Sequence, residues 1–481
     1  MSRFAILFTA PAASVLAAAA LVALEPSVDA ALVATIGLVC VVPIGARVVG
    51  GRFDIFEPIV VANLALLVMY VARPAAMLVT SAQHSFKGYD LTPHIREALV
   101  IALMASIAFQ VGYAAPWAKR TVERLPSALG SWDVGVTLAF SLALAAIAVL
   151  LFAVFLVQSG GLSFIFQLAK GRSSAYDVLY RHSSAYFYGA PLLLWPASLL
   201  LFAIGLTARR RDLIVIAFAL TVALGVFSGG QGSRITLLPL VLSPAIYFYL
   251  ERNRRPSAVA LAVVGYLVFT VGIAYFREAR TATARIDRTY ELKKSITDPK
   301  YEYRQLILKG VDNDMFESLA AETVVVPSEI GASPFDFLYR TFAKPIPRIL
   351  WPSKPLSAEE QLTTTLYPWE RQRNSSSSGV VGSFFQAGLI PGVILGMLLI
   401  GYAFRVPWEY WRRYPRATTS KLTLVVFLMF VPITLRGGFG ETLAFALFGI
   451  VPLVVAARLC RRRLAVAPMG LGLDRPGVAR G

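Results

Sequence analysis

About a dozen apolar runs, each long enough to cross the hydrocarbon core of a bilayer, dominate this chain, and one long polar stretch interrupts them. The runs fall at 4–24, 30–46, 56–72, 97–116, 134–157, 188–207, 213–228, 234–250, 257–276, 379–404, 422–435 and 442–457. A run of this kind has to close all its backbone hydrogen bonds internally, so each is expected to be a helix. With 57% hydrophobic and 15% charged residues and a mean hydropathy of +0.64, the chain cannot be a string of soluble domains, although its 481 residues would otherwise suggest about three. The two cysteines, Cys40 and Cys460, lie in or at the end of apolar runs and build neither a disulfide framework nor a metal site by themselves.

The polar stretch, 277–378, carries 15 of the 46 Lys+Arg and 14 of the 28 Asp+Glu, a surplus of +1 out of the formal +18. Such a balance reads as a folded, solvated element. The other 31 basic residues sit mostly in short connections between runs. With the amino terminus inside, 23 of them fall on alternate connections and the two tails, against 8 on the outer connections. This parity predicts cytoplasmic termini and an external long loop. The expected organisation is therefore spans 1–9 over 1–276, the external loop over 277–378, spans 10–12 over 379–457, and a basic cytoplasmic tail over 458–481. Within the loop, Lys300 to Lys309 and Met315 to Val325 read as helices too polar to span. The proline run Pro345, Pro347, Pro352 and Pro355 reads as extended and rigid.

An arginine on the outer boundary runs against the topological bias and asks for a reason. Arg234 follows the glycine-rich run 229–233 and opens the eighth span, whose amino-terminal end faces outward. Arg436 with Gly437, Gly438 and Gly440 does the same before the twelfth span, and the tenth begins with Gly379 and Gly382. Free backbone N–H groups, the positive end of a helix dipole and a guanidinium together suit a phosphate. Arg277 and Arg280 at the outer end of the ninth span, and Arg348 in the proline run, complete a candidate diphosphate set. An ion pair of Arg436 with Glu441 and an ordinary solvated loop start at Arg277 and Arg280 are the structural alternatives. His182, Glu441 and Glu322 are the candidate bases, with Glu317 and Glu329 competing, and no spacing separates the acids. Tyr180 suits sugar stacking or an interfacial belt, and Trp351 suits a sugar face or loop packing. No metal-ligand, Ser/His/Asp or phosphate-loop signature is present.

Taken in order, GGQGSR at 229–234, FREAR at 276–280, PIPRILWPSKP at 345–355, GSFFQAGLIPGVILG at 382–396 and LRGGFGE at 435–441 resemble the O-antigen polymerase (Wzy-type) or oligosaccharide repeat unit polymerase family. The resemblance covers roughly residues 130–457. It implies an all-α polytopic enzyme of about twelve transmembrane helices, of the membrane-embedded (GT-C-like) glycosyltransferase type, independent of metal and cofactor and seated in a bacterial cytoplasmic membrane. Such an enzyme transfers a growing glycan from undecaprenyl diphosphate to the non-reducing end of another lipid-linked repeat at the outer face. A chain-length regulator is an allowed partner; nucleic acid is not. The related O-antigen ligases place a histidine in the loop just before a late span, whereas 373–379 here contains none. A ligase-like transferase and a lipid or polysaccharide transporter (flippase) are the rival expectations, the latter calling for ionisable residues or broken helices within the spans.

Overall fold

The computed structural model describes residues 27–80, 85–86, 89–159, 161, 183–230, 234–257, 315–343, 346, 350–351, 353–356, 358–366 and 378–462. Expected spans 4–24 and 257–276 lie outside these residues or nearly so; every other expected span is helical. The helices are α1 (Val28–Val49), α2 (Pro58–Leu67), α3 (Arg73–Thr80), α4 (Ile95–Ala114), α5 (Trp117–Arg124), α6 (Val134–Gln158), α7 (Leu194–Thr207), α8 (Arg211–Gly230) and α9 (Arg234–Glu251). After them come α10 (Met315–Val325), α11 (Pro334–Ala343), α12 (Ala358–Leu366), α13 (Gly379–Arg413) and α14 (Thr418–Leu459). A π-helical turn, Val68–Ala72, joins α2 to α3. Among the described residues, 7 helical stretches are long and apolar enough to cross a membrane, which makes this an all-α membrane protein.

Local signals fix several helix starts. The Ser27 side chain accepts from Ala30 N at the head of α1, the Asp133 side chain accepts from Val136 N at the head of α6, and Pro58 occupies the first turn of α2. The helices pack around two cores. One joins α1, α2, α4, α10 and α13 around Tyr70, Phe109, Phe316 and Val393; the other joins α6, α7, α9 and α14 around Trp195, Tyr247 and Phe430.

The 42 residues of α14 are two helices. Trp132 Nε1 donates to Thr419 Oγ1 at 3.2 Å, and Trp132 also pairs with Arg461 in a short antiparallel ladder of β1 (Ser131–Trp132) with β2 (Arg461–Arg462). The start and end of α14 thus meet one segment, and the chain reverses at Gly438, where φ 80° and ψ 173° are open to glycine alone. This agrees with separate runs at 422–435 and 442–457.

The tenth expected span departs from its reading. A straight α13 of 35 residues would be about 52 Å long, well beyond the ~30 Å hydrocarbon core. It breaks at Gly388 and Leu389, the latter at φ 53°. A Cβ at Gly396 would overlap the Phe384 ring, and in an unbroken helix those positions stand ~18 Å apart. Residues 379–387 therefore fold back against the span that follows.

The long polar stretch also departs from a uniformly water-facing element. Its helix Met315–Val325 forms as expected, yet Phe316, Leu319, Ala320, Ala321 and Val325 are fully buried between α4 and α13. Small and aliphatic residues on several faces, MFESLAAETVV, let this short helix enter the bundle instead of lying on it. Helices α11 and α12, which the sequence reading leaves as connection, flank it.

Candidate functional site

The ends of the bundle carry different chemistry. At one end Glu57 receives Arg47 Nε at 2.7 Å, Arg47 Nη2 at 3.0 Å, Arg405 Nη1 at 3.0 Å and the Tyr113 hydroxyl at 3.1 Å. Arg405 also pairs with Glu409. Beside this network Arg255 Nε donates to Asp54 at 2.8 Å and Lys421 Nζ to Glu251 at 2.9 Å. Every basic residue named here belongs to the set that the charge parity places on one side.

At the opposite end, α10 brings acids into the bundle. Arg73 Nε donates to Glu317 Oε1 at 2.6 Å, and Glu317 is only 4% exposed. Counting from Glu57, Arg73 stands ~24 Å up the same helical stretch, close to the far boundary of a bilayer core. His94 Nδ1 lies 2.9 Å from Thr323 Oγ1, and Arg96 Nε donates to Asp29 at 2.8 Å. Glu322, one of the candidate bases, is 0% exposed and sits against the first turn of α13: a Cβ at Gly382 would overlap both its carboxylate and the Ser378 hydroxyl. The amino-terminal end of α13 thus faces the carboxyl group of Glu322.

Gly379, at φ 69°, brings the same turn onto the carbonyl of Leu435 and to within 3.7 Å of the Arg436 carbonyl for an added Cβ. Phe439 N donates to Ser383 Oγ at 3.4 Å. The starts of the tenth and twelfth expected spans therefore meet here, with Arg436 half-buried beside them. A small pocket opens next to this junction, lined by Ser333, Asp336, Arg340, Gln361 and Gln386 with Ile330 and Phe337 at its side. Gln386 is about one helical turn from Gly382, so the pocket floor stands ~6 Å along the helix from the position that meets Glu322.

Arg234 opens α9 as expected; its side chain, and that of Glu441 in α14, lie outside the described residues, as do Arg277, Arg280, Arg348, His182 and Tyr180 altogether. Trp351 stands edge-on to Tyr339, ring centroids 5.7 Å apart, and so packs the loop. Arg73 escapes the sequence reading, which names Glu317 only as one of several competing acids. Arg73 is one of the eight outer basic residues, so the criterion that selects Arg234 and Arg436 applies to it equally. Glu317 carries no local signal that distinguishes it.

Comparison with protein-family models, with curated proteins and with solved structures gives no match for this chain. The fold and the site define a polytopic helical membrane protein with a buried acidic helix at one end.

Proposed function

We propose that the chain polymerises lipid-linked oligosaccharide repeats, transferring a growing glycan from undecaprenyl diphosphate to the non-reducing end of another lipid-linked repeat at the outer face of a bacterial cytoplasmic membrane. The observation that carries this reading is the meeting of the α13 start, the Arg436 turn and the buried Glu322 beside a polar pocket. In the reaction an acceptor hydroxyl oxygen attacks the anomeric carbon of the donor. The bond from that carbon to the diphosphate breaks with its electron pair, and the hydroxyl proton passes to a base. Glu322 is the base in this reading, and Arg436, with Arg234, Arg277, Arg280 and Arg348, stabilises the charge gathering on the departing diphosphate. Asp336, Arg340, Gln361 and Gln386 offer the mix of donors and acceptors that sugar hydroxyls use.

The breaks at Gly388–Leu389 and the π-helical turn beside half-buried Arg73 favour one rival, a transporter, because they are the interruptions such a protein needs. One experiment separates the readings: electrophoresis and mass analysis of lipid-linked glycans after deleting the gene and restoring wild type or Arg436→Ala. Single repeats on the carrier in the deletion and in Arg436→Ala, with a ladder restored by wild type, are expected. Full-length polymer retained on its lipid in the deletion would point to a ligase, and repeats trapped on the inner leaflet to a flippase.

A further inference from the structure

Helix α11 presents three different faces. Phe337 packs inward against Ala387 and Phe439, with Phe337 and Phe439 ring centroids 6.3 Å apart. Asp336 and Arg340, an i,i+4 ion pair at 2.6 Å, turn toward the polar pocket. The third face is apolar and open: Phe335 is 87% exposed, Phe342 60%, Tyr339 51% and Leu338 43%. Positions 335, 338, 339 and 342 follow the i, i+3, i+4, i+7 spacing of a single helical stripe. Leu350, 76% exposed, extends the apolar surface beyond the helix.

The surroundings say what covers this stripe. Pro334, at the start of α11, lies 3.8 Å from where a Cβ on Gly388 would stand, so the helix departs from the break in α13. Directly after that break Ile390, Ile394, Leu395 and Leu399 are exposed on a span, where only acyl chains can meet them. The stripe of α11 continues this lipid-facing surface. Its depth agrees: Gly388 stands ~26 Å along α13 from Arg405 in the ion network of the opposite end, near the far edge of the hydrocarbon core. Tyr339 and Trp351, edge to face, are the residue types that settle at the headgroup boundary.

We propose that α11 is an interfacial helix whose Phe335, Leu338, Tyr339 and Phe342 face is immersed in the acyl chains of the leaflet at the α10 end, holding the polar pocket at the membrane surface. The inference rests on the membrane-spanning character of the bundle and stands independently of the glycan-transfer reading. A lipid-bound helix is amphipathic with its ionic residues off the apolar face, and the single ion pair here lies on the pocket side.

The test is spin labelling of the full chain in nanodiscs of phosphatidylethanolamine and phosphatidylglycerol. The native cysteines, Cys40 and Cys460, are buried, which leaves introduced ones selectively reactive. Labels at Phe335→Cys and Phe342→Cys are compared with Leu395→Cys on the lipid face of α13 and with Ser328→Cys in the exposed turn after α10. If either phenylalanine variant does not insert, Leu338→Cys reads the same stripe. The proposal predicts that the ratio of oxygen to nickel-chelate accessibility at 335 and 342 matches Leu395 and is reversed relative to Ser328. Ratios like that of Ser328 would overturn it by placing the stripe in water. Shielding from both reagents would overturn it by assigning the stripe to a second copy or another protein.

Discussion

The two ends of the bundle solve the problem of charge near a membrane in opposite ways. At the Glu57 end, acids and bases come from the span termini themselves, two arginines and a tyrosine hydroxyl converge on one carboxylate, and positive and negative charges compensate within contact distance. At the Glu322 end the acids are imported on α10, a helix from the long polar stretch, and one of them is aimed at the amino terminus of a folded-back helix. The first arrangement is closed and ties α1, α2, α4 and α13 together. The second adjoins a pocket lined by Asp336, Arg340, Gln361 and Gln386, with Glu322 fully buried against the α13 start. A buried ion pair is weak evidence for stability, but removing one partner is strongly destabilising, so the ends should respond differently to mutation.

The largest contrast is expected from Glu322→Gln. It preserves shape and leaves the inserted protein's yield and melting temperature near wild type, while glycan polymerisation in membranes falls by about 10²- to 10⁴-fold, the usual worth of a general base. Glu57→Ala should act through folding: with Arg47 left uncompensated and Arg405 keeping only Glu409, stability falls by about 3–5 kcal/mol, read as a loss of monodisperse protein on detergent extraction and a lowered melting temperature. Gly382→Val is expected to cost about 1–3 kcal/mol by thermal melting, since the added atoms must displace Ser378 or Glu322. The smallest effect belongs to an exposed pair on neither end network. The hydrogen bond from Arg210 holds the Asp212 carboxyl below its ordinary range, so its contribution is present at neutral pH and is lost as pH falls below the usual carboxylate values. Asp212→Asn should therefore shift the neutral-pH melting temperature by no more than the scatter between preparations, and abolish what little acid sensitivity the pair confers.

Much of the helical frame was legible because the bilayer imposes it. Apolar runs at 30–46, 97–116, 134–157 and 188–207 had to become helices, and the basic residues Arg47, Arg255, Arg405 and Lys421, assigned to one side by charge parity alone, do collect at one end. The glycines of the two span starts, Gly379 and the Arg436 turn, were legible as places of close approach, but that they meet each other was not. The fold-back of 379–387 was not: hydropathy reads a continuous run across Gly388 and Leu389, and the reversal depends on Phe384 settling against Gly396. The burial of α10 was hidden for a related reason. Glu317 and Glu322 lower its apparent hydrophobicity, and only the tertiary positions of Arg73 and the α13 start give those carboxylates a place inside the bundle.

The central claim is that the Glu322 end is the reactive end and the Glu57 end a structural clamp. Its most direct test uses purified protein in nanodiscs, given an undecaprenyl-diphosphate oligosaccharide, with products resolved by gel and mass spectrometry for wild type, Glu322→Gln and Arg120→Ala. The account predicts ladders from wild type and from Arg120→Ala, whose substitution lies on an exposed connection, and unextended substrate from a folded Glu322→Gln. A full ladder from Glu322→Gln would contradict it.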